Sequence, residues 1–335
     1  MTNTYRTFGL LILFALLLSI YTMSSSGRFH IVDEVSLFAV TESLATRSEA
    51  DTNAIAWTQW VNSPGEVLGA FGPDGEVYSK KGPGPALAAL PWYAGARALS
   101  LLGVGLGILQ STLLWHGVVT AATAALLFLT TTRLGYRNRT AMLIGLLFGL
   151  ATIAWPYANQ FFGEPLSAFG LLLAFYSIVS WRQSGYTSWM VMAGIGAGLM
   201  LATVTAHILL VGVLGLYAIV AWWRQRDNDP SASAGSNPSL HLVRGLVAFA
   251  IPIAMAGGLL GCLLGVWVGG ALTEIDKAYY KLPFLEFEAN TDTILVGMAI
   301  STFAASVGLI VALQQIGGLT PAVAMSPPAP PDYSK

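Results

Sequence analysis

The chain has 335 residues, of which 55% are hydrophobic and only 10% charged, against roughly 25% charged in an ordinary soluble domain. A water-soluble fold of this length could not hide so much apolar surface, whereas the hydrocarbon of a bilayer accepts it. The net charge of −1 gives no sign of a nucleic-acid partner, and Cys262, the single cysteine, excludes an internal disulfide and a Cys-rich metal site.

A helix crosses hydrocarbon with about 20 apolar residues. The first run, 8–23, has one basic residue before it, Arg6. It has the length of a signal peptide, but Ser24-Ser25-Ser26-Gly27 is a poor cleavage site and further apolar runs follow, so a retained first span is expected. Segment 24–84 carries eight acids (Asp33, Glu34, Glu42, Glu49, Asp51, Glu66, Asp74, Glu76) against Arg28, Arg47, Lys80 and Lys81. That balance places it outside the cytoplasm, because Lys and Arg collect in inner loops. Within it, 35–47 offers Leu37, Phe38, Val40 and Leu44 to one helical face and reads as a helix along the membrane surface. Asp33 and Glu34 stand at its start, where a helix N-terminus tolerates acids for capping alone.

Eight more apolar runs follow, at 85–103, 108–131, 141–157, 165–181, 189–203, 206–223, 245–269 and 294–314. Arg133, Arg137 and Arg139 share one short loop, Arg182 lies in another, and Arg224, Arg226 and Arg244 flank a third. All are expected in the cytoplasm. An odd number of crossings must then separate residue 82 from residue 133, so one of two runs does not cross. Run 85–103 contains Pro91 and holds Arg97 near its middle, a charge that costs about 2.5–3.5 kcal/mol at the bilayer centre. It reads as an interfacial or re-entrant helix, and 108–131, which contains His116, becomes the second span. The result is an all-α polytopic protein of eight spans with both termini inside. Trp155, Tyr157, Trp181, Tyr186, Trp189, Trp222 and Trp223 fall at span ends, where amphipathic rings prefer the headgroup layer.

Four units are expected: a module over 1–225 with its outer loop at 24–105, a cytoplasmic linker at 226–244, two further spans in 245–314 around an outer loop at 270–293, and a Pro-rich tail at 315–335. No internal repeat marks duplicated halves of a transporter.

Three more features of the outer side carry candidate chemistry. Lys80 and Lys81 precede Gly82-Pro83-Gly84-Pro85, a tight turn able to bring a phosphate to backbone amides; lysines beside an apolar run also simply snorkel to headgroups. Glu164 precedes Pro165 at the head of a span, a capping position as well as a chemical one. His207 ends the polar turn Thr203-Val204-Thr205-Ala206-His207. Carboxylates beside cations at a lipid interface suit proton removal from an acceptor hydroxyl and charge stabilisation on a departing lipid phosphate.

At these residues the chain resembles the lipid-carrier-dependent glycosyltransferases of the GT-C fold, the class of the protein O-mannosyltransferases and the aminoarabinose transferase of lipid A. The resemblance runs in order over about residues 1–225: Val32-Asp33-Glu34-Val35 after the first span, then Ser79-Lys80-Lys81-Gly82-Pro83-Gly84-Pro85, Pro91-Trp92-Tyr93, Arg133 to Arg139, Gly163-Glu164-Pro165, and Gly194 to Gly198 leading to His207. Glu164 stands where the family more usually has Asp, and His207 where it has Lys or Arg. The resemblance implies catalytic carboxylates at Asp33, Glu34 and Glu164, with Asp33 as base. It implies a lipid-phosphate site at Lys80, Lys81 and His207. The expected activity is transfer of a sugar from a polyprenyl-phosphate carrier to an acceptor outside an inner (plasma) membrane. No cofactor is indicated, and a divalent metal is neither indicated nor excluded. The alternative is an accessory subunit of a membrane complex, packed through the Gly-rich helix 245–270; a transporter ranks last, since the expected spans are almost free of charge.

Overall fold

A computed structural model describes residues 3–56, 68–72, 75–228 and 241–257, with Val296 and Ala299. The outer loop 270–293, nearly all of the last expected span, the tail 315–335 and most of the linker lie outside the described residues. The chain enters as α1 (Asn3–Ser24) and turns into α2 (Val32–Thr46). A two-residue hairpin follows, β1 (Ala70–Phe71) against β2 (Val77–Tyr78), the one departure from an all-α fold among the described residues. Next come α3 (Gly84–Leu101), α4 (Ile108–Arg133), α5 (Asn138–Ala151), the short α6 (Ala154–Tyr157), α7 (Glu164–Ser184) and α8 (Ser188–Thr203). A single 3-10 turn over Thr205–His207 leads into α9 (Ile208–Asn228), and α10 covers His241–Gly257.

Four of these helices are long and apolar enough to cross a membrane, over Arg6–Ser24, Ile108–Arg133, Glu164–Ser184 and Thr205–Trp223. Helix α3 is not among them, in keeping with Pro91 and Arg97 inside it. Helices α5, α8 and α10 are apolar but shorter. At 1.5 Å per residue, α5 and α8 reach only about 21 and 24 Å, short of the roughly 30 Å hydrocarbon thickness.

Run 141–157, expected as one span, is two helices. Thr152 takes an extended conformation (φ −126°, ψ 176°). Its hydroxyl donates to the Phe148 carbonyl at 2.6 Å and accepts the Ala154 N–H at 3.1 Å, ending one helix and starting the next. Pro156, two residues into α6, has no N–H with which to continue an unbroken helix. The space left where α5 stops becomes a cavity, described below.

Helix α2 also departs from expectation. Leu37 and Val40 are buried as foreseen, but so are Glu34, Ser36, Thr41 and Ser43. The helix is covered on a mixed face by α3, with Thr41 donating to the Ala86 carbonyl at 3.3 Å and Phe38 edge-on to Tyr93 at 5.8 Å. Buried hydroxyls that find partners cost little, so α2 packs on protein where a lipid-facing helix would keep such groups wet.

Two packed groups join α1 to α4 and α7 to α8 and α9. Leu13, Leu17 and Tyr21 of α1 meet Ala121, Ala124 and Phe128 of α4. Ile178 and Trp181 of α7 meet Met190, Ala197 and Met200 of α8 and Leu214 of α9. Helices that are each soluble in lipid are held to one another by close contact more than by apolar burial. Gly170 of α7 and Gly196 of α8 provide it, since a Cβ on either would lie 2.5 Å from the other's carbonyl oxygen. The bundle has two distinct ends. Gln110 at the start of α4 donates to the Gly27 carbonyl at 3.0 Å, and the Arg133 carbonyl at its finish accepts from Gln183 at 3.1 Å. About 35 Å of helix separates Gln110 from Arg133.

Candidate functional site

The first turn of α2 sends its two acids in different directions. Ile31 at the N-cap is extended and offers no side-chain cap. Asp33 is half-exposed, and its Oδ2 lies 2.7 Å from Nζ of Lys81. Glu34 is fully buried. Its Oε2 accepts the His30 N–H at 3.2 Å, and Oε1 lies 3.6 Å from the His30 imidazole Nδ1. Burial pushes the Glu34 carboxyl above its ordinary range, offset in part by His30 and by the backbone of Phe161.

A carboxyl raised in the fold stabilises it while protonated, and that contribution is lost as pH rises from the ordinary carboxylate range through the folded value. Glu34→Gln is therefore expected to remove part of the fall in thermal stability on that rise. Parallel curves of Tm against pH for variant and wild type would contradict this. Asp33 meets solvent and Glu34 does not, so the two acids of the pair have different work.

The turn that carries the lysines is tied to the same helix. Ser36 of α2 donates to the Ser79 hydroxyl at 2.8 Å, and that hydroxyl accepts the Lys81 N–H at 3.2 Å. Lys80 is exposed and has no ion-pair partner among the described residues. Beyond the lysines, Gly82 lies so close to the carbonyl ends of Ala202 and Thr203 that a Cβ there would meet both oxygens. Gly84 stands 3.0 Å from Ala202 by the same measure. The glycines, read from sequence as freedom to wrap a phosphate, serve here to let this turn rest on the end of α8.

The third segment joins at that same point. A Cβ on Gly163 would collide with Thr203, with Pro85 only 3.3 Å away. The turns carrying Lys80–Lys81, Glu164 and Thr203–His207 thus gather at one end of the bundle, the end to which Asp33 is tied through Lys81. Phe161, fully buried, locks the Glu164 turn beneath α2 with Leu37, Trp115 and Leu113. The fully buried ring of His116 lies 4.7 Å from Phe161 and faces the bundle.

His207 is half-buried, its Nδ1 3.3 Å from the Met200 carbonyl and 3.4 Å from the Ser167 hydroxyl. An Nδ1–H donated to the carbonyl fixes the ring and leaves Nε2 as its outward nitrogen. Glu164 is exposed and borders a cavity of about 270 Å³, lined also by Thr120, Thr123, Phe148, Thr152 and Tyr157. The cavity opens where α5 stops, between α4 and α7. Apart from Glu164 and its threonines the lining is apolar, a chemistry suited to a chain of hydrocarbon.

Three other loop acids share one cation. Arg47 pairs with Glu42 at 3.1 Å, Glu49 at 3.3 Å and Asp51 at 3.3 Å. Against burial, which pushes it up, Asp51 is held below the usual range by the Asn53 N–H, the Ser43 hydroxyl and Arg47. His30, Phe161 and the Ser36–Ser79 link went unmarked in the sequence; the spacing of His30 and Glu34, four apart at a helix start, was the one available signal.

Residues 111–260 match the family model described as dolichyl-phosphate-mannose-protein mannosyltransferase. The match includes Glu164 and His207 and begins after Asp33, Lys80 and Lys81. No curated protein matches the chain. The chain is thus a helical membrane protein whose residues 111–260 are similar to the dolichyl-phosphate-mannose-protein mannosyltransferases, a GT-C-fold family, as its sequence motifs suggested.

Proposed function

We propose that this protein moves a sugar from a polyprenyl-phosphate carrier to a hydroxyl acceptor on the extracytoplasmic face of an inner (plasma) membrane, through eight spans with both termini inside. The family match supports a membrane glycosyltransferase with a lipid-linked sugar donor. The observation that carries the site is the meeting of the Lys81 turn, the Glu164 turn and the Thr203–His207 turn beside Asp33.

Asp33 takes the proton of the acceptor hydroxyl. The acceptor oxygen forms its bond to the anomeric carbon as the bond from that carbon to the phosphate oxygen breaks, and the electron pair leaves with the polyprenyl phosphate. Lys80, Lys81 and His207 stabilise the charge arriving there. Glu164 orients the donor sugar above the apolar cavity that receives the start of the lipid chain. Glu34, buried, positions the α2 start against Phe161.

The test is release of polyprenyl phosphate by the purified full chain from a panel of labelled polyprenyl-phosphate sugars. Donor-dependent release is expected, and Lys81→Gln should slow it by about 10²-fold or more, in line with removing one preorganised donor from a developing anion. A folded wild type inert toward every donor would overturn the reading.

A further inference from the structure

The base and the phosphate ligand of the proposed site are, in the resting structure, partners of each other. Asp33 Oδ2 and Lys81 Nζ are 2.7 Å apart, the shortest ion pair among the described residues. Among those residues Lys81 is the only side-chain partner of Asp33. The three acids on Arg47 contrast with it, since each shares its cation with two others. Both members of the Asp33–Lys81 pair are half-exposed, at 43% and 44%, so an incoming anion can reach the ammonium. The backbone around them is braced by contacts independent of the pair. Ser36 on α2 and Ser79 in the turn join the two segments, and Gly82 is seated on the end of α8.

We infer that the Asp33–Lys81 pair is a latch that makes donor binding precede acceptor activation: the lipid phosphate takes Lys81 and so releases the Asp33 carboxylate. This rests on the reading of the site as one for a lipid phosphate. While the ammonium sits on Oδ2, that oxygen is spent on Lys81 and is not offered to an acceptor hydroxyl. A phosphate presents several acceptor oxygens to the three N–H donors of a lysine, and it arrives anchored by its lipid chain. When the product phosphate leaves, Asp33 reclaims Lys81, and the site without a donor returns to a state in which Oδ2 is paired with the ammonium.

The competition has a specific signature. If Asp33 and the phosphate compete for the same ammonium, Asp33→Asn tightens phosphate binding, and does so only while Lys81 is present. An exposed pair is worth about 0.2–1 kcal/mol, which corresponds to a gain of up to about fivefold. A double-mutant cycle isolates this from the general effect of removing a negative charge. The probe is a polyprenyl monophosphate, its Kd measured by calorimetry on the full chain in detergent for wild type, Asp33→Asn, Lys81→Gln and the double variant. The expected result is a Kd for Asp33→Asn tighter than wild type by up to about fivefold and no difference between the double variant and Lys81→Gln. Equal tightening in both backgrounds, or none in either, overturns the latch while leaving the phosphate site in place. Absence of binding to the wild type removes the site itself, and the latch with it.

Discussion

Asp33→Asn should lower kcat by about 10²–10⁴-fold, the usual contribution of a positioned general base, without weakening the donor complex. Asparagine keeps the size and one acceptor oxygen of the side chain but cannot take up a proton. Asp33 is half-exposed and packs into no core, so the fold should survive the change and the loss should fall on the chemical step. Single-turnover measurement at saturating donor separates the two, because chemistry then sets the rate. A variant that turns over at the wild-type rate would move the base elsewhere, with Glu164 the next candidate by exposure. Glu34 is fully buried and so ranks behind both in accessibility.

Gly82→Ala is expected to have the second large effect, and to act through geometry. Its added methyl would meet the Ala202 and Thr203 carbonyl oxygens, which belong to the backbone end of α8 and cannot swing aside. Overpacking of this kind costs about 1–3 kcal/mol. It would also push the lysine turn off the turn that leads to His207, so turnover should fall along with thermal stability. Gly95→Ala is the matched control, a helical glycine whose Cβ would meet nothing within 4 Å. That substitution should be neutral or stabilise by about 0.5–1 kcal/mol, as expected for relief of glycine's helix penalty. Equal Tm values for Gly82→Ala and wild type would show that the contact between the two turns is not tight.

The helices were largely legible because apolar runs of about 20 residues leave a chain in lipid few alternatives. Arg97 and Pro91 likewise sufficed to separate α3 from the spans. Hydropathy was blind to the break at Thr152, since an extended residue within an apolar run changes no side-chain polarity; Pro156 was the local sign of it. The depth of α2 was misjudged for a related reason. Leu37, Phe38, Val40 and Leu44 read as one face of a helix along the membrane surface, and only the arrival of α3 and Phe161 shows that Glu34 and several hydroxyls are enclosed as well. The motifs picked out turns that meet at one end of the bundle, but the contact between Asp33 and Lys81 spans a separation that no periodicity records. Gly82 and Gly163 read as turn residues, while their use is close approach to Thr203, a partner distant in sequence in either case.

The claim at the centre of this account is that a lipid phosphate binds at the end of the bundle where Lys81, Gly163 and Thr203 meet, opposite the arginine end at Arg133. Photocrosslinking the full chain in lipid nanodiscs with a polyprenyl phosphate carrying a diazirine next to its phosphate measures this directly, with the adducts located by peptide mass spectrometry. Adducts on segments 79–85 and 203–208, suppressed by unlabelled polyprenyl phosphate, are the expected result. Adducts concentrated on 133–139, competed in the same way, would contradict it.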